Sequence, residues 1–321
     1  MKLGLFTPVF GKLDAKAMLA KVRALEKVQA IELGTGGWPG HDHLDVDALL
    51  ADKARTSEFR AMIGDAGLTI SALSCHGNPL HPDRATACMY DEVFRKSVRL
   101  AEQMDVPVVV TFSGCPGDTD DAKHPNWVTC PWPPEYLEVL EWQWEKKAIP
   151  YWCGASNFAA NHGVKVALEA HPGFLVYNVD SALRLRHAAG PNLGVNFDPS
   201  HFFWQGVDVP AAIRALGDSI FHVHAKDVAL DPHNVAVNGV IDTKTYRKMA
   251  DRSWLFRSVG WGHDELEWKR IVSALRLSGY DYVMSIEHED ALASVDEGLG
   301  AAVDLLSRVI LSEPPVEAWW T

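Results

Sequence analysis

Short runs rich in Val, Ile, Leu and Ala recur along the chain, separated by longer stretches whose apolar residues return every three or four positions. The runs fall at residues 3–7, 30–34, 68–76, 106–114, 164–171, 193–201, 220–227 and 282–290. Between them, one apolar face is marked by Met18, Leu19, Val22 and Leu25, another by Val93, Val98, Leu100 and Ala101, and a third by Ile271, Val272, Leu275 and Leu277. Gly67, Gly163, Gly190 and Gly279 each stand just before the next run, where a helix stop belongs. Strand, helix and tight turn, eight times over, predict an α/β fold: a closed (β/α)₈ TIM barrel spanning residues 1–321 as one domain. A doubly wound open sheet would carry its glycine fingerprint after the first strand, whereas Gly34-Thr35-Gly36-Gly37 follows the second.

Two segments are longer than barrel connections require. Residues 115–153 follow the fourth run and hold Trp127, Trp132, Trp142, Trp144 and Trp152; residues 229–263 follow the seventh. Both leave the C-terminal end of a strand, the end that carries the active site in such barrels, so they are expected to wall it. A tail, residues 312–321, places Trp319 and Trp320 beyond the last helix, and two terminal indoles predict a subunit contact and a homo-oligomer.

Charge narrows the partners. With 30 basic against 42 acidic residues the chain carries −12, which argues against nucleic acid, because phosphate binding needs clustered Lys and Arg. No apolar run approaches the ~18 residues of a membrane span. The N-terminal run is broken by Pro8 and Lys12 with no leader cleavage site, so the expected location is the cytoplasm. Cys75, Cys88, Cys115, Cys130 and Cys153 are odd in number and lack a CxxC pair, which predicts reduced, mostly buried thiols.

Four successive strands end on a metal-ligand residue type: Glu169 in Leu168-Glu169-Ala170-His171, Asp198 in Phe197-Asp198-Pro199-Ser200-His201, His224 in His222-Val223-His224, and Glu287 in Ile286-Glu287-His288-Glu289. Three carboxylates and an imidazole converging on one face would repel without a cation. Oxygen-rich ligation with a single imidazole favours Mn²⁺, with Mg²⁺, Co²⁺ or Fe²⁺ as substitutes, over a structural zinc. His76, His171 and His201 are further candidates for substrate contact or proton shuttling, and His171 and His288 alternatively for support of the neighbouring ligands. Trp38 and Trp204 are candidates for stacking on a sugar face or on the core, and Lys226 and Asp227 for pairing with each other.

The strings LEAHPG, NFDPSH, HVHAKD and SIEHED resemble those of the xylose isomerase-like TIM barrels, the sugar phosphate isomerases and epimerases that include tagatose 3-epimerase and inosose dehydratase. That resemblance implies a metal on Glu169, Asp198, His224 and Glu287, proton transfer by Glu169 and Glu287, and a substrate-oxygen contact from His201. It implies a divalent-metal-dependent isomerase or epimerase acting on a keto sugar through an enediolate. Two positions depart from the epimerases, which carry a glutamate where this chain has Leu175 and an arginine where it has Leu230. Some relatives instead eliminate the aglycone from a 3-oxo-glycoside, among them the larger subunit of C-glycoside deglycosidases, which works with a small second subunit. That lyase chemistry is the main alternative, and the Trp-rich segment would suit an aromatic aglycone. A metal-dependent endonuclease would need a basic groove, and a non-catalytic sugar-binding protein would not need four inward ligands. With no basic phosphate cradle in the sequence, the expected substrate is unphosphorylated.

Overall fold

The eight apolar runs become the staves of a closed parallel barrel in the computed structural model, which describes residues 1–320. The staves are β1 (Lys2–Phe6), β2 (Ala30–Gly34), β3 (Thr69–Ser74), β4 (Val108–Phe112), β5 (Lys165–Glu169), β6 (Leu193–Phe197), β7 (Ile220–Ala225) and β10 (Val283–Ile286). β1 pairs with both β2 and β10 and so closes the ring. Several strands stop short of their apolar runs at the C-terminal side. After β6, Asp198 caps a short helix, Pro199–Trp204, whose first residue is the proline, so the run to residue 201 divides into strand and helix.

The outer helices turn the faces that periodicity marks onto the core, with Val93 partly buried and Leu25 just past the end of its helix, and one residue departs outright. Ile271, Val272 and Leu275 are buried on helix Glu265–Leu277, but Leu277 is exposed. It sits six residues beyond Ile271, about 240° around the helix and therefore off the apolar stripe.

Inside the barrel, Val108 and Val110 share the inward parity of Phe112, and Ala167 that of Glu169; together with Ala72 they form a separate apolar cluster. The same interior holds a fully buried polar set, Glu32, Ser74, Asn196, His222, His224 and Ser285. Barrel interiors are usually filled with branched aliphatics, so this polar layer needs a reason.

The two long segments differ in kind. After β4, residues 113–134 form a loop, but from Glu135 the chain is helical through Asn161, with a π-helical turn at Gln143–Ala148. Trp144 and Trp152 are therefore core residues of the outer layer, and the Trp152 indole donates to the Ser113 carbonyl at 2.8 Å. Only the first half of residues 115–153 is irregular. After β7 the chain makes an antiparallel hairpin, β8 (Asp227–Leu230) with β9 (Trp254–Arg257). Trp319 and Trp320 are exposed, and Thr321 lies outside the described residues.

All five cysteines are free, but only Cys75 and Cys115 are buried, fewer than expected. Cys88 faces outward from helix Arg84–Met104 and Cys130 sits in the exposed loop. Among the described residues, no helix is long and apolar enough to cross a membrane.

Candidate functional site

Strand geometry brings four distant residues to one point. Glu169 is the last residue of β5 and His224 lies near the end of β7, both on inward-facing positions. Asp198 follows β6 directly, and its Oδ1 accepts the Ser200 amide at 2.9 Å, which leaves Oδ2 to face the barrel axis. Glu287 follows β10, anchored by its amide donating to the Ala225 carbonyl at 3.2 Å. One ligand atom from each of the four lies within 4.8 Å of the others. Glu169, Asp198 and His224 are almost wholly buried, while the Glu287 side chain keeps 13% exposure toward the cavity.

These atoms are close but poorly satisfied by one another. His224 Nδ1 lies 3.1 Å from Glu169 Oε2 and 2.8 Å from Glu287 Oε2. Lys226 Nζ lies 3.0 Å from both Asp198 Oδ2 and Glu287 Oε2. Yet Asp198 Oδ2, His224 Nδ1 and Glu287 Oε2 are all buried without a well-formed hydrogen bond. Orphaned buried lone pairs are costly, and three of them converging from a carboxylate-rich set fit a divalent cation. Burial alone would raise the Asp198 carboxyl, but the Lys226 ammonium and His201 outweigh it and hold it well below the ordinary range. Burial likewise opposes charge on His201, and Asp198 beside it overcomes this and holds the imidazole up to about 9.

The other expected residues divide into those at the site and those near it. His76 donates from Nε2 to Glu169 Oε2 at 3.1 Å, and His201 Nε2 lies 3.2 Å from Asp198 Oδ2 and 3.3 Å from Glu169 Oε1. An open cavity of about 360 Å³ ends on Glu169 and Glu287 and is walled by Phe6, Trp38, His76 and Phe112. Trp38 reaches it because Gly37, at φ +68°, turns the chain where a Cβ would meet the His76 carbonyl at 2.1 Å. The Gly-rich loop is thus a tight turn that presents an indole. His171 packs against His201 at 4.0 Å between ring centroids, its Nδ1 bonded to the Pro172 carbonyl at 2.6 Å, and His288 lies at the cavity rim. Trp204 is elsewhere: it stacks on Trp254 of the hairpin, 4.8 Å apart and 8° from parallel, and does not line the cavity. Lys226 and Asp227 do not pair with each other. Lys226 points to the ligand carboxylates and donates to Glu289 at 3.2 Å, whereas Asp227, at the opposite parity, holds the loop at 260–263.

Two residues at the site, Glu32 and Asn196, were not singled out by sequence. Glu32 on β2 lies with both carboxylate oxygens 3.0 Å from His224 Nε2. Asn196 donates to Glu169 Oε2 at 3.1 Å and accepts from His222 Nδ1 at 3.1 Å. The available signal was Glu32 itself, one charge inside the apolar run Ala30-Ile31-Glu32-Leu33-Gly34. Two further trios, Glu32 with His222 and His224, and Glu169 with His171 and His201, also cluster closely, each sharing one residue with the main four.

Burial pushes His171 down to about 3 and His222 down to about 4, so both are neutral in the fold. The unfolded chain takes up those protons near pH 6.5, so their contribution is intact above that value and is lost as pH falls toward 4 and below. We expect the metal-free protein to lose about 2 kcal/mol per group between pH 7 and 5. Urea titrations at the two pH values test this, and an unchanged stability would mean that neither ring is held neutral in the fold.

Comparison with known proteins places this geometry. The model of the xylose isomerase-like TIM barrel family matches residues 19–308. The chain belongs to that family. It is 39% identical over 313 residues to the protein YfiH of Bacillus subtilis (strain 168), which carries no assigned function, covering 97% of this chain and 99% of that one. A 26% identity over 153 residues links it to an inosose isomerase of Bacillus velezensis, covering 47% of this chain and 49% of the isomerase. Among solved structures, a D-tagatose 3-epimerase-like protein superposes with a TM-score of 0.64 at 20% identity, covering 96% and 97% of the two chains. The IOLI protein with a bound zinc atom gives 0.64 at 19% identity, covering 97% and 99%. At such identities the structural likeness speaks for the fold, and the family's barrel is the one described above.

Proposed function

We propose that this family member is a divalent-metal-dependent isomerase or epimerase of an unphosphorylated keto sugar, with Glu169 and Glu287 exchanging the proton. The observation that carries the reading is the convergence of Glu169, Asp198, His224 and Glu287 within 4.8 Å, at the floor of an open cavity. A divalent cation held there, Mn²⁺ by the oxygen-rich donor set, would polarise a sugar carbonyl and its vicinal hydroxyl and acidify the intervening C–H.

The chain's own groups supply the rest. Both glutamates line the cavity, so each can take or return a proton at a bound carbon. Asn196 and His76 donate to Glu169 Oε2 and fix its orientation. His201, charged beside Asp198, would donate to a substrate oxygen that reaches the ligand set. Among the described residues lining the cavity there is no Lys or Arg to cradle a phosphate, and Lys226 beneath it is held by the ligand carboxylates.

Trp38 is 57% exposed and packs near Phe112 and Phe174, forming an aromatic wall for a sugar face. Trp38→Ala should raise KM about tenfold with little change in kcat, since stacking of this kind holds ground state and transition state alike. A fall in kcat with KM unchanged would remove Trp38 from the substrate wall. The same wall favours a second reading, elimination of an aromatic aglycone from a 3-oxo-glycoside, which begins with the same proton abstraction. Leu175, buried, and Leu230, on the hairpin, stand where epimerases carry polar groups, and so support it.

The two readings separate in D₂O. Metal-loaded protein is incubated with ketoses and with 3-oxo-glycosides, and NMR follows deuterium uptake and released aglycone. Deuterium entering an intact ketose supports the isomerase; aglycone release supports the lyase. Turnover that survives a chelator overturns both.

A further inference from the structure

The His224 imidazole stands between two sets of carboxylates. Its Nδ1 faces Glu169 and Glu287 without a well-formed hydrogen bond, while Nε2, on the opposite side of the ring, is 3.0 Å from each oxygen of Glu32. Glu32 is fully buried and remote from the cavity, so it touches neither solvent nor a bound sugar. Its other partners are fixed hydroxyls: Ser74 on β3 donates to Oε1, and Ser285 on β10 donates to Oε2 at 2.8 Å. His222 comes no nearer than 3.9 Å and gives its Nδ1 proton to Asn196 instead. A buried carboxylate held by donors from three strands, β3, β7 and β10, is fixed in place, and both its oxygens face one nitrogen of the His224 ring.

A neutral imidazole carries a single N–H. In a neutral, ligating ring with that proton held on Nε2 by Glu32, the Nδ1 lone pair would be free, and Nδ1 is the nitrogen that faces Glu169 and Glu287. We infer that Glu32 is a positioning residue for the metal: it sets the tautomer and ring plane of His224 and raises the donor strength of Nδ1. This rests on the metal-centre reading above. It also accounts for the polar layer in the barrel interior, since Ser74 and Ser285 hold the carboxylate that holds the histidine.

The test uses Glu32→Gln, which keeps the shape and an acceptor oxygen but removes the charge. Mn²⁺ titration, read by the EPR signal of free ion, should show Kd weakened 10- to 100-fold relative to wild type. The visible bands of the Co²⁺-loaded protein should change with it. Zinc-loaded wild type, ¹⁵N-labelled at histidine, should show His224 protonated on Nε2, a readout that needs no variant to fold. Equal Mn²⁺ affinity and equal Co²⁺ spectra, or a His224 protonated on Nδ1, would overturn the role of Glu32 while leaving the metal centre standing. Failure of the wild type to bind Mn²⁺, Co²⁺ or Zn²⁺ would overturn both.

Discussion

Glu287→Gln should lower turnover by about 10³-fold or more, with the far-UV spectrum and metal-free stability little changed. Of the four converging side chains, Glu287 is the most open to the cavity, so it is the one best placed to meet a substrate carbon as well as a cation. The amide keeps the volume and one oxygen, and the backbone hydrogen bond from residue 287 to Ala225 does not involve the side chain. What is lost is a negative charge beside His224 and a base. The fold should tolerate this well, because Glu287 Oε2 makes no well-formed hydrogen bond that the core depends on. Deuterium exchange into bound sugar is the sharper measurement, since it reports proton abstraction even when product release limits turnover. Exchange at the wild-type rate in Glu287→Gln would remove this residue from the chemistry and leave Glu169 as the sole carboxylate base.

The barrel and its four converging side chains were legible because both depend on period-two alternation and on strand ends. Glu169, Asp198, His224 and Glu287 sit at or next to the C-terminal ends of β5, β6, β7 and β10, and a closed parallel sheet gives those ends one common face. What was not legible depended on which parity faces inward across the ring. In Lys226-Asp227 the two charges are adjacent, which suggests a pair, but adjacent residues on a strand point to opposite sides. Lys226 turns to the metal ligands, with its ammonium 4.6 Å above the Phe256 ring, and Asp227 turns away.

Glu32 was missed for a related reason. Its partner His224 is 192 residues away along the chain, and the two meet only because the barrel interior is narrow enough for side chains from non-adjacent staves to touch. Trp204 shows the reverse case, where the packing alternative and not the sugar-face one describes the residue. An aromatic three residues after His201 was a candidate for a sugar wall or for the core, and it packs under the hairpin instead of lining the cavity. Phe256 of the same hairpin packs edge-on against His201. Insertions of this kind carry their own hydrophobic cluster, here Trp204, Val228, Trp254 and Phe256, and sequence periodicity does not say which indoles belong to it.

That hairpin supplies the second large prediction. Asp227→Ala should destabilise the protein by about 3–5 kcal/mol, because it strips a buried acceptor from a set of donors with no other partner. Oδ2 accepts the amides of Gly260, Gly262 and His263 at 2.9, 3.1 and 3.0 Å, and the Trp268 indole at 3.4 Å. Oδ1 accepts the Val228 amide and His263 Nδ1, each at 2.8 Å. Water cannot easily replace the carboxylate: Asp227 is fully buried, and Gly262 approaches so closely that a Cβ there would meet the Val228 carbonyl at 2.1 Å. The loss should reach the site, since Asp227 opens β8, and β9 beside it carries Phe256 against Lys226 and His201. Asp227→Asn keeps one acceptor oxygen but turns an amide NH₂ toward amide donors, so it should recover only part of the stability. Urea unfolding of the two variants beside wild type measures both steps. A change below 1 kcal/mol in Asp227→Ala would show that the loop at 260–263 is held by its packing on helix Glu265–Leu277, with the carboxylate incidental.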